Sequence, residues 1–340
     1  MFKATDTRTF VTRRSKTLAF SLLGFGSAPL GNFPRALSED ECDATVGRAW
    51  ERGLRTYDTA PLYGLGLSET RIGRNLRQHA RGDYLLSTKV GRLLEPLAPG
   101  ETFDAGIYKN VPRLKYVYDY SYDGVMRSFE ESLARLGLDR VDILLVHDVD
   151  GPSHGGREGS EARIRELMTT GGWKALDALR SSGAVDAIGL GVNEWQPCAR
   201  MLELADPDLF LLAGRYTLLE QEPIDMLFPQ CAKAGAGIVL GGPYNSGVLA
   251  GKAMFNYGDI PASVAARVEA LRAVCDGHGV ELRAAALQFV AAHPLVVSVI
   301  PGAISVEEVD ANVALMERAI PPALWQDLKS RKLIHPAAPC

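Results

Sequence analysis

The chain has 340 residues, 46% hydrophobic and 23% charged, with 34 glycines, 19 prolines and a formal net charge of −4. The apolar fraction excludes a disordered chain, and the aperiodic glycines exclude a collagen-like one. The slight acidity, with no dense basic patch, argues against nucleic acid as a partner.

The N-terminal MFKATDTRTFVTRRSK is basic but leads into only a short apolar run, 18–23, too short for a signal peptide. No apolar segment reaches the ~18 residues of a membrane helix, so no membrane partner is expected. Cys42, Cys198, Cys231, Cys275 and Cys340 are scattered without metal-like spacing. They read as reduced thiols of a cytoplasmic protein, and no metal site is expected.

Taken in chain order, short apolar runs alternate with amphipathic stretches. Residues 20–25 read as a strand. Residues 39–52 read as a helix, with Ser38 and Glu41 at capping-box spacing. Strand 54–58 precedes helix 68–77, and strand 84–89 follows. Helix 123–136 carries Val125, Phe129, Leu133 and Leu136 at helical spacing. Strand 141–147 reads VDILLVH. Helix 174–182, strand 187–192, helix 196–204, strand 209–213, helix 224–234 and strand 237–240 continue the rhythm. Helices 262–278 and 284–292, strand 296–300 and helix 306–319 close it.

About eight strands, nearly all followed by a helix, predict an α/β fold. The strands are continuous apolar runs, as in parallel sheets covered on both faces. The rhythm predicts one (β/α)8 TIM barrel over residues 1–340 with long loops on the C-terminal face. A doubly wound sheet is the alternative, but neither Gly24–Gly31 nor Gly64–Gly73 fits the G-x-G-x-x-G turn. Segments of about 92–122 and 148–172 break the rhythm as insertions. The first holds Tyr108, Tyr116, Tyr118, Tyr120 and Tyr122, and the second is rich in glycine and charge.

Barrel chemistry sits where strands end. The second run ends at Asp58, with Tyr63 just beyond. The third ends at Lys89 and the fourth at His147. Each alone is an ordinary cap, snorkelling cation or core histidine. Together they suit proton transfer: a lysine beside a phenol favours the phenolate, an aspartate holds the lysine, and a histidine supplies a second donor. Two other barrel chemistries stay open. Lys89 is a candidate Schiff-base lysine, and His147, Asp148 and Asp150 are candidate metal ligands.

The pieces TYDTAPLYGLGLSE, STKVG, SLARLGLDRVDILLVH, AIGLGVNEW, RYTLLEQ, GGPYNSGVLAG and VIPGAISVEEVDANV resemble the aldo-keto reductase family in order and spacing. Within it, DYSYDGVMRS and GRYTLLEQ resemble the branch of L-fucose and D-threo-aldose 1-dehydrogenases and pyridoxal 4-dehydrogenases. The resemblance implies Asp58, Tyr63, Lys89 and His147 as the catalytic four. It implies a nicotinamide cofactor held by Asn193, Tyr216, Gly302, Ala303, Ser305, Glu308 and Asn312.

This chain departs from the family pattern at several of those positions. Asn193 and Glu194 stand where many members have Ser-Asn for the carboxamide, and Ala213 stands where a glutamine is usual. Tyr216 aligns with the aromatic that stacks on the nicotinamide, with core packing as the alternative. Gly302 and Glu308 replace a Lys and an Arg common in NADP-preferring members. A carboxylate repels a 2′-phosphate and accepts from a ribose hydroxyl, so NAD is preferred and NADP remains an option. Gly302, Ala303 and Ser305 would offer donors at a helix N-terminus, and Asn312 would bond the adenine. Glu307 and Glu308 also suit the helix dipole.

The resemblance implies a small-molecule partner, a neutral aldose oxidised at C1 to a lactone or a pyridoxal-like alcohol. Trp195, Tyr120 and Tyr122 are the candidate substrate contacts, unless the tyrosines pin the loop to the barrel rim. General aldehyde reduction and a non-enzymatic cofactor-sensing subunit are the remaining alternatives. A monomer or weak homodimer is expected.

Overall fold

The computed structural model describes residues 1–340. The chain opens with an antiparallel hairpin, β1 (Thr7–Val11) and β2 (Thr17–Ser21). Then come β3 (Phe25–Gly26), α1 (Glu39–Glu51), β4 (Thr56–Asp58) and α2 (Leu67–Leu76). β5 (Leu85–Val90) leads into a second hairpin, β6 (Arg92–Pro96) and β7 (Leu114–Tyr118), and on to α3 (Tyr122–Leu136). β8 (Ile143–His147) precedes α4 (Gly151–His154), α5 (Arg157–Thr169) and α6 (Gly172–Ser182).

β9 (Ala187–Val192) is followed by α7 (Gln196–Leu204), and β10 (Leu209–Ala213) by α8 (Pro223–Met226) and α9 (Phe228–Ala234). After β11 (Gly237–Gly241) the chain makes a 3-10 segment, Asn245–Ala250, then α10 (Ala262–Gly277) and α11 (Leu282–Ala291). β12 (Val296–Ile300), α12 (Val306–Glu317) and α13 (Pro322–Ser330) end it.

Eight parallel strands pair in the order β12-β11-β10-β9-β8-β5-β4-β3. Parallel bridges Leu23↔Val299 and Gly26↔Gly302 join the two ends. The result is the expected (β/α)8 barrel. Strand alternation sorts the side chains into two cores. Ile143, Leu145, Ala187, Leu209, Leu211, Val239 and Val297 pack inside the barrel, while Leu144, Val146, Ile188, Leu190 and Ile238 face the helices. No helix is long and apolar enough to cross a membrane.

Several boundaries differ from the sequence reading. The strand expected at 20–25 straddles two elements, the end of β2 and the start of β3. The basic N-terminus forms a hairpin whose Leu18 and Phe20 join the inner core and plug the barrel. Segment 92–122 contains β6 and β7, and 148–172 is largely helical in α4 and α5. The helix expected at 224–234 is broken at Leu227, two residues before Pro229, which lacks the amide an unbroken helix needs. The capping box at Ser38 and Glu41 forms as read.

The hairpin is anchored by charge. Arg8 donates to the carbonyls of Ala291, His293 and Val296. In the turn of the hairpin, the Arg13 amide donates to Asp208 Oδ1 at 2.7 Å. Asp208 Oδ2 in turn accepts from Arg180 at 2.8 Å and from the Ile188 amide at 3.0 Å, all out of solvent. Removing one partner of such a pair strands the other charge. Replacing Arg180 by Met should therefore lower unfolding stability by about 3 kcal/mol, read as a lower denaturant midpoint. An unchanged midpoint would show that Asp208 is satisfied by its amide donors alone.

Candidate active site

The site follows from strand parity and register. Tyr57, Leu86, Leu144 and Val146 point to the helices. Asp58, Ser87, Lys89 and His147 carry the opposite parity and point to the barrel axis. Asp58 pairs in register with Ser87, Lys89 with Leu145, and His147 with Gly191. Three chemically active side chains thus share one end of the barrel interior.

Lys89 organises them. Its Nζ donates to Asp58 Oδ1 at 2.9 Å, to Asp58 Oδ2 at 2.7 Å, to the Thr59 carbonyl at 2.9 Å and to the Tyr63 hydroxyl at 3.1 Å. Ser87 Oγ also donates to Asp58 Oδ1, at 2.7 Å. Room for the lysine stem comes from Gly191, where an added Cβ would lie 2.9 Å from Lys89 Cε. The loop bearing Tyr63 is fixed by a close backbone approach of Gly64 to Gly31, which leaves no space for a Cβ at either residue. The His147 ring meets the Tyr63 ring edge-on, with centroids 5.8 Å apart.

Electrostatics corrects one expectation. Lys89 was expected to lower the Tyr63 pKa. Instead burial, followed by the Asp58 charge, raises it well above the usual phenol value. Asp58 cancels the charge that Lys89 would otherwise present to the phenol. Burial, with Arg92 and Lys89 nearby, lowers the His147 pKa well below the usual imidazole value. The site at neutral pH therefore holds a neutral phenol, a neutral imidazole and a buried ion pair.

A second buried pair lies against it. Arg92 reaches Asp148 Oδ2 at 2.9 Å, and the same oxygen lies 3.3 Å from His147 Nε2. Asp150 Oδ1 caps α4 at the Ser153 amide, and Oδ2 accepts from the Asn193 amide at 2.7 Å. The carboxylates considered as metal ligands are thus bound to a guanidinium and to amides. Arg92 escaped the sequence reading. Its signal was an arginine followed directly by Leu93 and Leu94, just past the third strand.

The expected cofactor residues fare unevenly. Asn193 Nδ2 is taken by Asp148 Oδ1 at 3.0 Å and Asp150 Oδ2 at 3.3 Å, so only its Oδ1 is free for a carboxamide. Glu194, whose role was open, accepts from the Gly151 amide at 2.9 Å. Tyr216 departs from the expected stacking platform. It is fully buried among Phe228, Phe289 and His293, and its ring packs in the core. Gly302 lies so close to Pro29 that a Cβ would fall 2.7 Å from its Cγ, and Ala303 is buried beside it.

Ser305 caps α12 by accepting from the Glu308 amide at 3.3 Å. Glu308 Oε2 accepts from the Ile304 amide at 3.0 Å, and Oε1 pairs with Lys252 at 3.1 Å. Asn312 Oδ1 accepts from the Tyr244 hydroxyl at 2.9 Å.

The expected substrate contacts are also redistributed. Tyr120 is fully buried, and its hydroxyl donates to the His147 carbonyl at 2.8 Å. It braces the end of β8 and offers no face to a substrate. Tyr122 opens α3, where its amide donates to the Thr170 carbonyl, and it makes no hydrogen bond or ring contact with the inward cluster. Trp195 Nε1 donates to Glu222 at 3.0 Å. Trp195 lines a cleft of about 960 Å3 with Gly151, Arg157, Glu194 and Arg200, and none of Asp58, Tyr63, Lys89 and His147 borders it. The aromatic contact to Tyr63 comes from Tyr108, with centroids 6.4 Å apart.

The residues present fit a nicotinamide dinucleotide. Ser305 takes the Glu308 amide, which leaves the Val306 and Glu307 amides of the first turn of α12 for an anionic phosphate. Asn245 Oδ1, just past β11, is a buried acceptor with no partner, and Asn193 Oδ1 is a second acceptor.

An aspartate, a lysine, a phenol and an imidazole gathered at the C-terminal mouth of a parallel barrel suit proton transfer, and comparison with known proteins gives the class. The model of the Aldo/keto reductase family matches residues 22–331. The chain belongs to this family and is an NAD(P)-dependent oxidoreductase. It is 41% identical over 330 residues to pyridoxal 4-dehydrogenase of Microbacterium luteolum, covering 93% of this chain and 95% of the relative. It is 38% identical over 325 residues to D-threo-aldose 1-dehydrogenase of a Pseudomonas species, again covering 93% and 95%. The holo form of an aldo-keto reductase from Bacillus halodurans superposes with a TM-score of 0.75 at 24% identity, covering 98% of each chain.

Gly191 gives a direct test of the geometry. Gly191→Ala should displace Lys89 and cut turnover by about 10²-fold with the fold intact, measured by NAD(P)-linked turnover and circular dichroism. Full activity in this variant would show that the lysine stem has slack.

Proposed function

We propose that the chain oxidises a small neutral hydroxylated substrate at a carbinol carbon, using NAD, with an aldose at C1 as the first choice and a lactone as the product. The observation that carries this reading is the Lys89 ammonium joined at once to Asp58 and to the Tyr63 hydroxyl inside the barrel mouth. When bound, the nicotinamide supplies the hydride acceptor. Tyr63 takes the hydroxyl proton from the substrate oxygen. Lys89 holds the phenol oxygen in place and stabilises its anion, and Asp58 fixes Lys89. His147 donates a hydrogen bond to the same substrate oxygen.

The polar groups around the mouth support a neutral substrate. Both inward cations are already paired, Lys89 with Asp58 and Arg92 with Asp148. Tyr108, Tyr116 and Tyr118 add amphipathic rings of the kind that suit a polyol. Pyridoxal is the second choice, supported by the 41% identity to a pyridoxal 4-dehydrogenase. Its aldehyde closes on the neighbouring hydroxymethyl group, so it too presents a hemiacetal carbinol.

The carboxylate of Glu308 at the start of α12 supports NAD over NADP, because it suits a ribose hydroxyl and repels a phosphate. Lys252, paired with it, tempers that repulsion. All five cysteines are free and four are buried, which suits a reducing compartment and supports a cytoplasmic location. Exposed large apolar side chains fall on separate segments, which supports a monomer or weak homodimer.

A screen of aldoses and pyridoxal with NAD+ and NADP+ tests the assignment. NADH formation with an aldose, at a kcat/KM at least tenfold above that with NADP+, is the expected result. Equal kcat/KM for the two cofactors sinks the NAD preference, and turnover of pyridoxal alone transfers the assignment to it.

Oxidation requires the Tyr63 phenolate, whose pKa lies well above the usual value. Its kcat/KM should therefore keep rising as pH increases through the alkaline range. Reduction uses the protonated phenol and should stay level there. Tyr63→Phe should lose about 10³-fold or more in turnover while cofactor binding, followed by fluorescence quenching, is retained. Retained turnover would refute the role of Tyr63.

A further inference from the structure

Outside the quartet, one charged side chain is buried with donors to spare. Arg92 is 4% exposed. One terminal nitrogen serves Asp148 Oδ2 at 2.9 Å and approaches the Tyr118 hydroxyl at 3.4 Å. Its Nε and the other terminal nitrogen have no hydrogen-bond partner. Its guanidinium carbon lies 5.0 and 5.3 Å from the ring centres of Tyr118 and Tyr116. A buried ion pair that leaves donors idle is weak evidence for stability. Asp148 is also held at a φ of +47°, a region that non-glycine residues seldom occupy. Strain and an incompletely satisfied charge at one spot point to a purpose beyond packing.

That purpose can be read at His147. Burial keeps the imidazole neutral, so it carries one proton. Its Nδ1 is buried with no partner, and its Nε2 lies 3.3 Å from Asp148 Oδ2. A proton on Nδ1 would be an unpaired buried donor, and it would leave a bare Nε2 within 3.3 Å of a carboxylate oxygen. A proton on Nε2 avoids both penalties. The carboxylate is held in that place from two sides, by Arg92 on Oδ2 and by Asn193 Nδ2 on Oδ1 at 3.0 Å.

We propose that Asp148, clamped by Arg92 and Asn193, is a positioning residue that keeps the His147 proton on Nε2, so that the ring donates to the reacting oxygen instead of accepting from it. This rests on His147 as the residue that meets the substrate oxygen. On arrival that oxygen receives the Nε2 proton that the nearby Asp148 carboxylate favours.

The clamp brings a pH dependence. Asp148 is faced by Arg92 from β6, Lys89 from β5, Asp150 and His147 from its own segment, and His154 from α4. The phenols of Tyr63, Tyr108, Tyr116, Tyr120 and Tyr257 also feel its charge. Burial outweighs Arg92 and pushes the Asp148 carboxyl up to about 6. Below that pH the carboxyl loses the charge that favours a proton on Nε2, and the preference for that tautomer weakens. Activity should therefore fall on the acid side near pH 6.

The decisive measurement is nitrogen-15 NMR of the His147 ring in the whole protein near pH 8, about two units above that carboxyl. Wild type should show a protonated Nε2 and a bare Nδ1, and Asp148→Asn should shift the balance toward Nδ1–H. In turnover, Asp148→Asn should cut kcat/KM by about tenfold or more and abolish the acid limb. Arg92→Met should move that limb upward, and Arg92→Lys should restore it toward wild type. A merely structural role would change amounts of folded enzyme without moving the limb. A wild-type ring protonated on Nδ1 overturns the proposal whatever the variants do, as does an Asp148→Asn enzyme with the wild-type tautomer and acid limb. Failure of the Tyr63 assignment would show separately, as an active Tyr63→Phe enzyme.

Discussion

A fully buried ammonium is among the costliest groups a barrel can enclose, and the mouth is built around making one tolerable. Lys89 has three N–H donors and four oxygens within reach, two of Asp58, one of Thr59 and one of Tyr63. The carboxylate neutralises the charge, and the carbonyl and phenol complete its coordination. Asp58 must therefore end the strand beside Lys89, Gly191 must lack a side chain opposite, and the loop carrying Tyr63 must come close enough to bond. Each of these features follows from keeping one charge dry.

The same pair explains why the phenol is not activated in the simple way that its neighbour suggests. A lysine alone would favour phenolate. A lysine matched by an aspartate does not, because burial dominates and the Asp58 charge adds to it. Tyr63 and His147 are pushed in opposite directions, one toward a higher and the other toward a lower pKa, and both end neutral. The mouth thus stores its charge in two pairs, Lys89 with Asp58 and Arg92 with Asp148, and keeps the Tyr63 phenol and the His147 imidazole uncharged between them.

The barrel and its quartet were legible because they follow from periodicity. Continuous apolar runs marked the strands, and polar residues at their ends fell on inward positions once the register was right. What was hidden depended on environment. Tyr120 and Tyr122 look alike in sequence, yet one is sealed against the His147 carbonyl and the other opens a helix. Tyr216 sits in a matching stretch of sequence but turns into the core, where Phe228 and Phe289 enclose it. Helix α5 buries only Ser160, Ile164 and Leu167, so its thin apolar stripe was lost among glycine and charge. Asp148 was visible as an acid beside a histidine, but its use depends on Arg92, more than fifty residues earlier in the chain.

The hairpin that plugs the barrel carries a consequence for how the molecule is assembled. Arg8 binds carbonyls 283, 285 and 288 residues further along the chain. Leu18 and Phe20 find their inner-core partners on strands up to β12. The Arg8 contacts cannot form until the chain has been made as far as α11 and the start of β12, and contacts this distant form slowly. A nascent chain therefore carries its stopper first and uses it last. Through most of synthesis Arg8 lacks these carbonyls, so the hairpin gains its anchor late.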